Sequence, residues 1–116
     1  MLRITLSWTW PDNEPQGELS WNLYRIEQRP DNVDLRYIDP IATNLANVPG
    51  EKGTFIELGT DFDGIKPYRT YYYILTPLDS VGNEYTIIDY PSKNVERVYI
   101  AVSYTHLTLP TIRLVL

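Results

Sequence analysis

The chain has 116 residues, a single-domain length, with 43% hydrophobic and 13% aromatic residues, enough to pack one core and too apolar for a disordered chain. A net charge of −5 without a basic run argues against nucleic acid and anionic membrane as partners, and the absence of cysteine removes disulfides and thiol chemistry. No stretch reaches the ~18 apolar residues of a membrane-spanning helix, and MLRITLSW lacks the apolar core of a signal peptide.

Ile4, Leu6 and Trp8 alternate with polar residues, which predicts a half-buried strand. Pro11 to Glu18, PDNEPQGE, is rich in turn formers and reads as a loop. A second strand follows, with Leu19, Trp21 and Leu23 on one face, continuing to Ile26, and Trp21 is a core candidate. Pro30, Asp31 and Asn32 break it, and Leu35 to Ile38 predicts a short further strand ended by Pro40. Ile41 to Gly53 carries Asn44, Asn47, Pro49, Gly50 and Gly53, and is expected to be an exposed connection. TFIEL, Thr54 to Leu58, predicts a strand with Ile56 and Leu58 inward.

Counting in twos from Ile65 through IKPYRTYYYILTPLDSVGN reaches Pro67, Arg69, Tyr71, Tyr73 and Leu75, the period of a buried strand entered through a proline. It is expected to run from Thr70 to Thr76, stop at Pro77 and turn at Asp79 to Asn83. Glu84 to Ile88 and Asn94 to Ile100 are the last two strand-like runs, separated by Tyr90-Pro91-Ser92. No repeat, heptad or helix longer than a turn is expected.

Trp8, Trp21, Ile65-x-Pro67 with Tyr71, and the Gly82-Asn83 turn together resemble a fibronectin type III domain over Ile4 to about Ile100. The resemblance implies an all-β, immunoglobulin-like sandwich, with Tyr71 as the corner tyrosine whose ring packs in the core while its hydroxyl meets nearby backbone. Ile4 to Trp8 would then be strand B, 19–26 strand C, 35–38 strand C′, 54–58 strand E, 70–76 strand F and 94–100 strand G. Strand A is expected to be missing, which leaves one edge of strand B unpaired and favours association with another strand. Arg69 stands where the family often has threonine, and Glu84 to Tyr90 is longer than the usual return, which leaves the pairing of strand G open.

Ser103 to Thr111, SYTHLTLPT, resembles at every position one translated frame of the transposon-end oligonucleotide used in short-read library preparation. The expected organisation is therefore a type III-like domain over 1–100, truncated at both ends, and a non-native tail over 101–116.

The only histidine, His106, lies in that tail, so the body offers no Ser-His-Asp triad, Cys-His pair or histidine-bound zinc. Paired carboxylates of the glycosidase kind would need convergence in a cleft, and the acidic residues fall mostly in predicted turns. Asp61-Phe62-Asp63-Gly64 resembles the opening of a calcium loop, but Ile65 and Lys66 stand where further oxygen donors are needed, so the aspartates read as turn formers, as do Asp79, Asn83 and Glu84 at the later turn. Trp10, Tyr68, Tyr72 and Tyr90 are candidates for stacking on a sugar or a protein, with cross-strand pairing the favoured role. Ser80-Val81-Gly82-Asn83 replaces the Arg-Gly-Asp of integrin-binding type III domains, so that activity is not implied. No catalytic, cofactor or metal residue is assigned.

The expected function is a non-catalytic structural or adhesive module of a larger protein. Its setting is a phage tail or baseplate, virion or extracellular, and its partners are other domains or subunits, with surface glycan as a further ligand. The alternative is a type III spacer or carbohydrate-binding accessory module of a secreted bacterial enzyme.

Overall fold

A computed structural model describes residues 2–9, 19–47, 53–59, 65–66, 68–78, 84, 87–88, 90–91, 94–100, 107–108 and 112–113. The strands are β1 Leu2–Thr9, β2 Leu19–Ile26, β3 Val33–Asp34, β4 Ala42–Asn47, β5 Gly53–Gly59, β6 Thr70–Leu78, β7 Ile87–Ile88, β8 Val95–Tyr99, β9 Leu107–Thr108 and β10 Ile112–Arg113. No α-helix occurs among the described residues; Leu35–Tyr37 forms a single 3-10 turn. Among the described residues, no helix is long and apolar enough to cross a membrane.

The chain is all-β, with its two main antiparallel pairings forming opposed layers. One layer is β1 against β5, and the other runs β4-β2-β6-β8. Ile4, Leu6 and Trp8 of the first layer meet Trp21, Leu23, Tyr71, Tyr73, Leu75, Val98 and Ile100 of the second, all buried, with Ile65 closing the cluster. The expected period-2 pattern holds for β1 and the inner face of β6. Arg69, counted on the same period, is exposed and pairs with Glu27 at 2.9 Å, because it precedes the paired strand.

In β5 the inward residues differ from expectation. Ile56 is 44% exposed, while Phe55 packs against the core and Glu57 is half-buried. The cause is register: Trp8, Leu6 and Ile4 lie opposite Gly53, Phe55 and Glu57, and residues directly opposite in an antiparallel pair share a face. Gly53 is required where it stands, since a Cβ there would fall inside the Trp8 indole. The indole N–H groups of Trp8 and Trp21 are buried with no hydrogen-bond partner among the described residues, a cost carried by the large area each ring buries.

Three further expectations are corrected. The expected strand from Leu35 to Ile38 is instead the 3-10 turn Leu35–Tyr37 with Ile38 as its C-cap, because the Asp34 side chain caps it by accepting the Arg36 N–H at 3.0 Å and turns Leu35 inward. The fourth strand of the second layer comes instead from 42–47, within the expected connection, where Ala42 to Asn47 pairs with β2 at the sheet's edge. Asparagines are tolerated there because an edge strand is paired on one side only and the ladder shifts register between Trp21 and Leu23.

β6 also runs through Pro77 to Leu78 instead of stopping. The Leu75 N–H points toward β8, bonding the Asn94 carbonyl at 3.0 Å, so the nitrogen of Pro77, two residues on, points the same way. The β8 pairing ends at Ile74–Val95, so the missing N–H of proline breaks no ladder bond.

The outer face of the second layer is covered as well. Tyr24, Tyr72, Ile74 and Val95 are buried beneath Leu35, Val33, Ile38 and Tyr90. β3 and β7 pair to form part of that cover. β6 is therefore buried on both faces from Tyr71 to Thr76, whereas a half-covered sheet would expose every second residue.

Candidate functional site

Glu57 is the group least expected inside the sandwich. β5 delivers it opposite Ile4, and its oxygens are taken by the Arg25 guanidinium and the Tyr73 hydroxyl, which donates to it. Arg25, Tyr73 and Glu96 stand side by side across β2, β6 and β8, and the Arg25 guanidinium also sits 5.7 Å from the Tyr71 ring centre. Burial and then the neighbouring Glu57 carboxylate push the Tyr73 hydroxyl far above the ordinary tyrosine range, so it stays protonated as a donor. Burial raises the Glu96 carboxyl.

A second polar cluster lies on the outer face of the same sheet. Glu84 accepts from Asn22 at 3.1 Å, from the Tyr24 hydroxyl at 2.9 Å and from the Thr76 hydroxyl. Burial first, and then the bond to Glu84, push the Tyr24 hydroxyl up to about 12. This ties the chain beyond β6 to the sheet, beside the Leu78–Glu84 bridge.

Glu57 and Glu84, the two carboxylates most engaged with buried partners, thus face opposite sides of one sheet and cannot act on one bond. Each is saturated by donors from the chain itself.

Tyr71 is buried and its hydroxyl accepts the Lys66 backbone N–H at 2.7 Å, tying the entry of β6 to the chain before it. Of the candidate stacking residues, Tyr72 lies under the outer cover and meets Tyr90 edge to face, with centroids 5.3 Å apart at 72°. Arg29 lies over the other ring at 5.2 Å. Pairing thus holds for these two rings, although through the cover and not between adjacent strands. Tyr68 is 66% exposed with φ 63, a left-handed backbone that tyrosine rarely adopts. Trp10, Asp61 to Gly64, Asp79 and Gly82-Asn83 lie outside the described residues. Tyr37 and Tyr99 are exposed and were not singled out from the sequence. Among the described residues, no group of three or more His, Asp or Glu side chains is arranged to hold a metal ion.

Glu57 was missed because a lone glutamate beside apolar residues reads as solvent-facing, and Glu84 was read as a turn former at the loop after β6.

The expected open edge of β1 carries β9 and β10, both parallel to it. No protein-family model matches the chain, and no curated protein or solved structure is significantly similar to it.

Proposed function

We propose that the chain is a fibronectin type III-like sandwich acting as a structural or adhesive module of a larger assembly, with strand edges and loops as its working surface. The observation that carries this reading is the corner bond from Lys66 N–H to Tyr71, at the entry of a strand central to the β4-β2-β6-β8 sheet opposite β1-β5. That layout corresponds to C′-C-F-G facing B-E, and it supports the type III assignment. The internal saturation of Glu57 and Glu84 supports a role in holding shape. The preferred setting is a phage tail or baseplate, with neighbouring domains or subunits as partners. Exposed Tyr37, Tyr68 and Tyr99 favour the second reading, a glycan-contacting accessory module of a secreted bacterial enzyme.

The test is to re-amplify and sequence the source DNA across both ends of the reading frame. A neighbouring tail-assembly domain supports the first reading, and a signal peptide with a hydrolase domain supports the second. A frame encoding a free-standing protein of this length would overturn both.

A further inference from the structure

We propose that Arg97 and Tyr99, on the open end of the outer face of β8, form a binding site for a single carboxylate-bearing sugar, with Arg29 and Tyr68 at its margins. This rests on the glycan-contacting reading above and gives it a place and a ligand class.

Val95, Arg97 and Tyr99 share one face of β8 by the period of a strand. Val95 fixes that face as the outer one, because it packs under the cover with Tyr24, Tyr72 and Ile74. The cover reaches Val95 and Tyr72, the residue directly opposite Arg97, and leaves Arg97 and Tyr99 exposed, Tyr99 at 50%. The sheet therefore carries a step. Tyr90, edge to face with Tyr72, stands on the covered side, and Arg97, Tyr99 and half-buried Thr70 form the open floor. Arg29, which follows β2, lies over the Tyr90 ring at 5.2 Å and adds a second cation to the covered side.

Arg25, Arg36 and Arg69 are each paired with a carboxylate. Arg29 and Arg97, both exposed, have no carboxylate partner among the described residues. Two such guanidiniums about one tyrosine pair favour an anion, and the planar fork of arginine matches a carboxylate. The net charge of −5 repels a long polyanion. That repulsion is screened beyond about 8 Å at physiological ionic strength, so one acidic unit is selected and not a polymer of them.

The ring beside Arg97 selects a sugar over an acidic side chain of a protein. Tyr99 is two residues from Arg97, about 7 Å along the strand, a span suited to one pyranose with its carboxylate on Arg97 and its C–H face on the tyrosine.

Tyr68 supplies an independent observation. Its N–H donates to the Ile100 carbonyl at 2.5 Å, and the Ile100 N–H donates to the Arg69 carbonyl at 3.0 Å. Tyr68 and Arg69 thus face one residue, a bulge next to Tyr99 whose left-handed first position normally takes glycine. Here a tyrosine holds it at φ 63 with its ring 66% exposed. Burial within the chain offsets little of that strain, and strained positions of this kind gather where a side chain meets a ligand.

The test uses three probes that separate ring from charge: methyl β-glucuronide, methyl β-glucoside and N-acetylglutamate amide. Each is titrated into the full chain at neutral pH and low salt, followed by backbone amide shifts. The glucuronide is expected to bind with a Kd of about 1–10 mM, shifting residues 68–70 and 97–100. The other two are expected to bind at least about tenfold more weakly, since each lacks half of the contacts. Arg97→Gln and Tyr99→Ser are each expected to weaken the glucuronide about tenfold. Both positions are exposed, and unchanged circular dichroism checks that the variants fold. Ile56→Gln, on the outward face of the opposite layer, is expected to bind as the parent does. Equal affinity for the glucoside overturns the acidic ligand and leaves the glycan-contacting reading standing. Equal affinity for N-acetylglutamate amide overturns the sugar. Glucuronide binding untouched by both variants overturns the location. No saturable shift with either sugar overturns the site and removes the glycan-contacting reading with it.

Discussion

At the residue scale, two side chains carry local geometry that a single substitution exposes. The Tyr71 hydroxyl is the acceptor for the Lys66 N–H, so Tyr71→Phe leaves a partly buried donor unpaired and is expected to cost about 1–3 kcal/mol. Denaturation midpoints of the two proteins check it, and an unchanged midpoint removes the corner from the account. Gly53 faces Trp8 across the β1–β5 ladder with no room for a methyl group. Gly53→Ala is expected to lose about 1–3 kcal/mol through displacement of the indole, read by tryptophan fluorescence and the same midpoint. Tyr71 was legible in the sequence because proline, spacing and aromatic size coincide there. Gly53 was not, since it stood among breakers and its partner lies 45 positions away in the chain.

At the scale of elements, the outer cover and the C-terminal segment contrast. Leu35 is 1% exposed and anchors the 3-10 turn against Tyr24, Tyr72, Ile74 and Val95. Leu35→Ala is therefore expected to cost about 2–5 kcal/mol, where a leucine on an exposed edge strand would cost little. Calorimetry or urea unfolding distinguishes the two. After Ile100, by contrast, the described residues 107–108 and 112–113 pair with one edge of β1 through two short ladders. Deleting Ala101 to Leu116 is expected to preserve a cooperative transition and to lower stability by no more than those ladder bonds contribute, on the order of 1–3 kcal/mol. Loss of cooperative unfolding would make the segment part of the core. Strands β1, β2, β6 and β8 were readable because each alternates or is bounded by breakers. β4 and the 3-10 turn were not, because their form follows from an available β2 edge and from the Asp34 cap.

Across the whole molecule, Glu96, which stands beside Tyr73 on the inner face of the second layer, links stability to pH. Burial raises the Glu96 carboxyl above its ordinary 4.5, so the folded chain binds that proton more tightly than the unfolded one. Glu96 therefore adds stability as pH falls through its raised value toward 4.5, and that contribution is lost as pH rises through the native value. The test is a difference between variant and parent at each pH. Glu96→Gln is expected to be more stable than the parent at neutral pH, with the gap closing in mild acid. Equal midpoints at both pH values would place Glu96 in solvent.

By itself, the sequence determined the all-β class and the strands around Trp8, Trp21 and Tyr71, because period-2 burial and turn chemistry are local. Tertiary structure alone decided that Glu57 points inward, that Tyr72 is covered, that 42–47 is the edge strand and that β1 takes a parallel neighbour. These depend on register between distant strands, where a one-residue slip exchanges inside for outside and no local pattern records which register the opposing strand imposes.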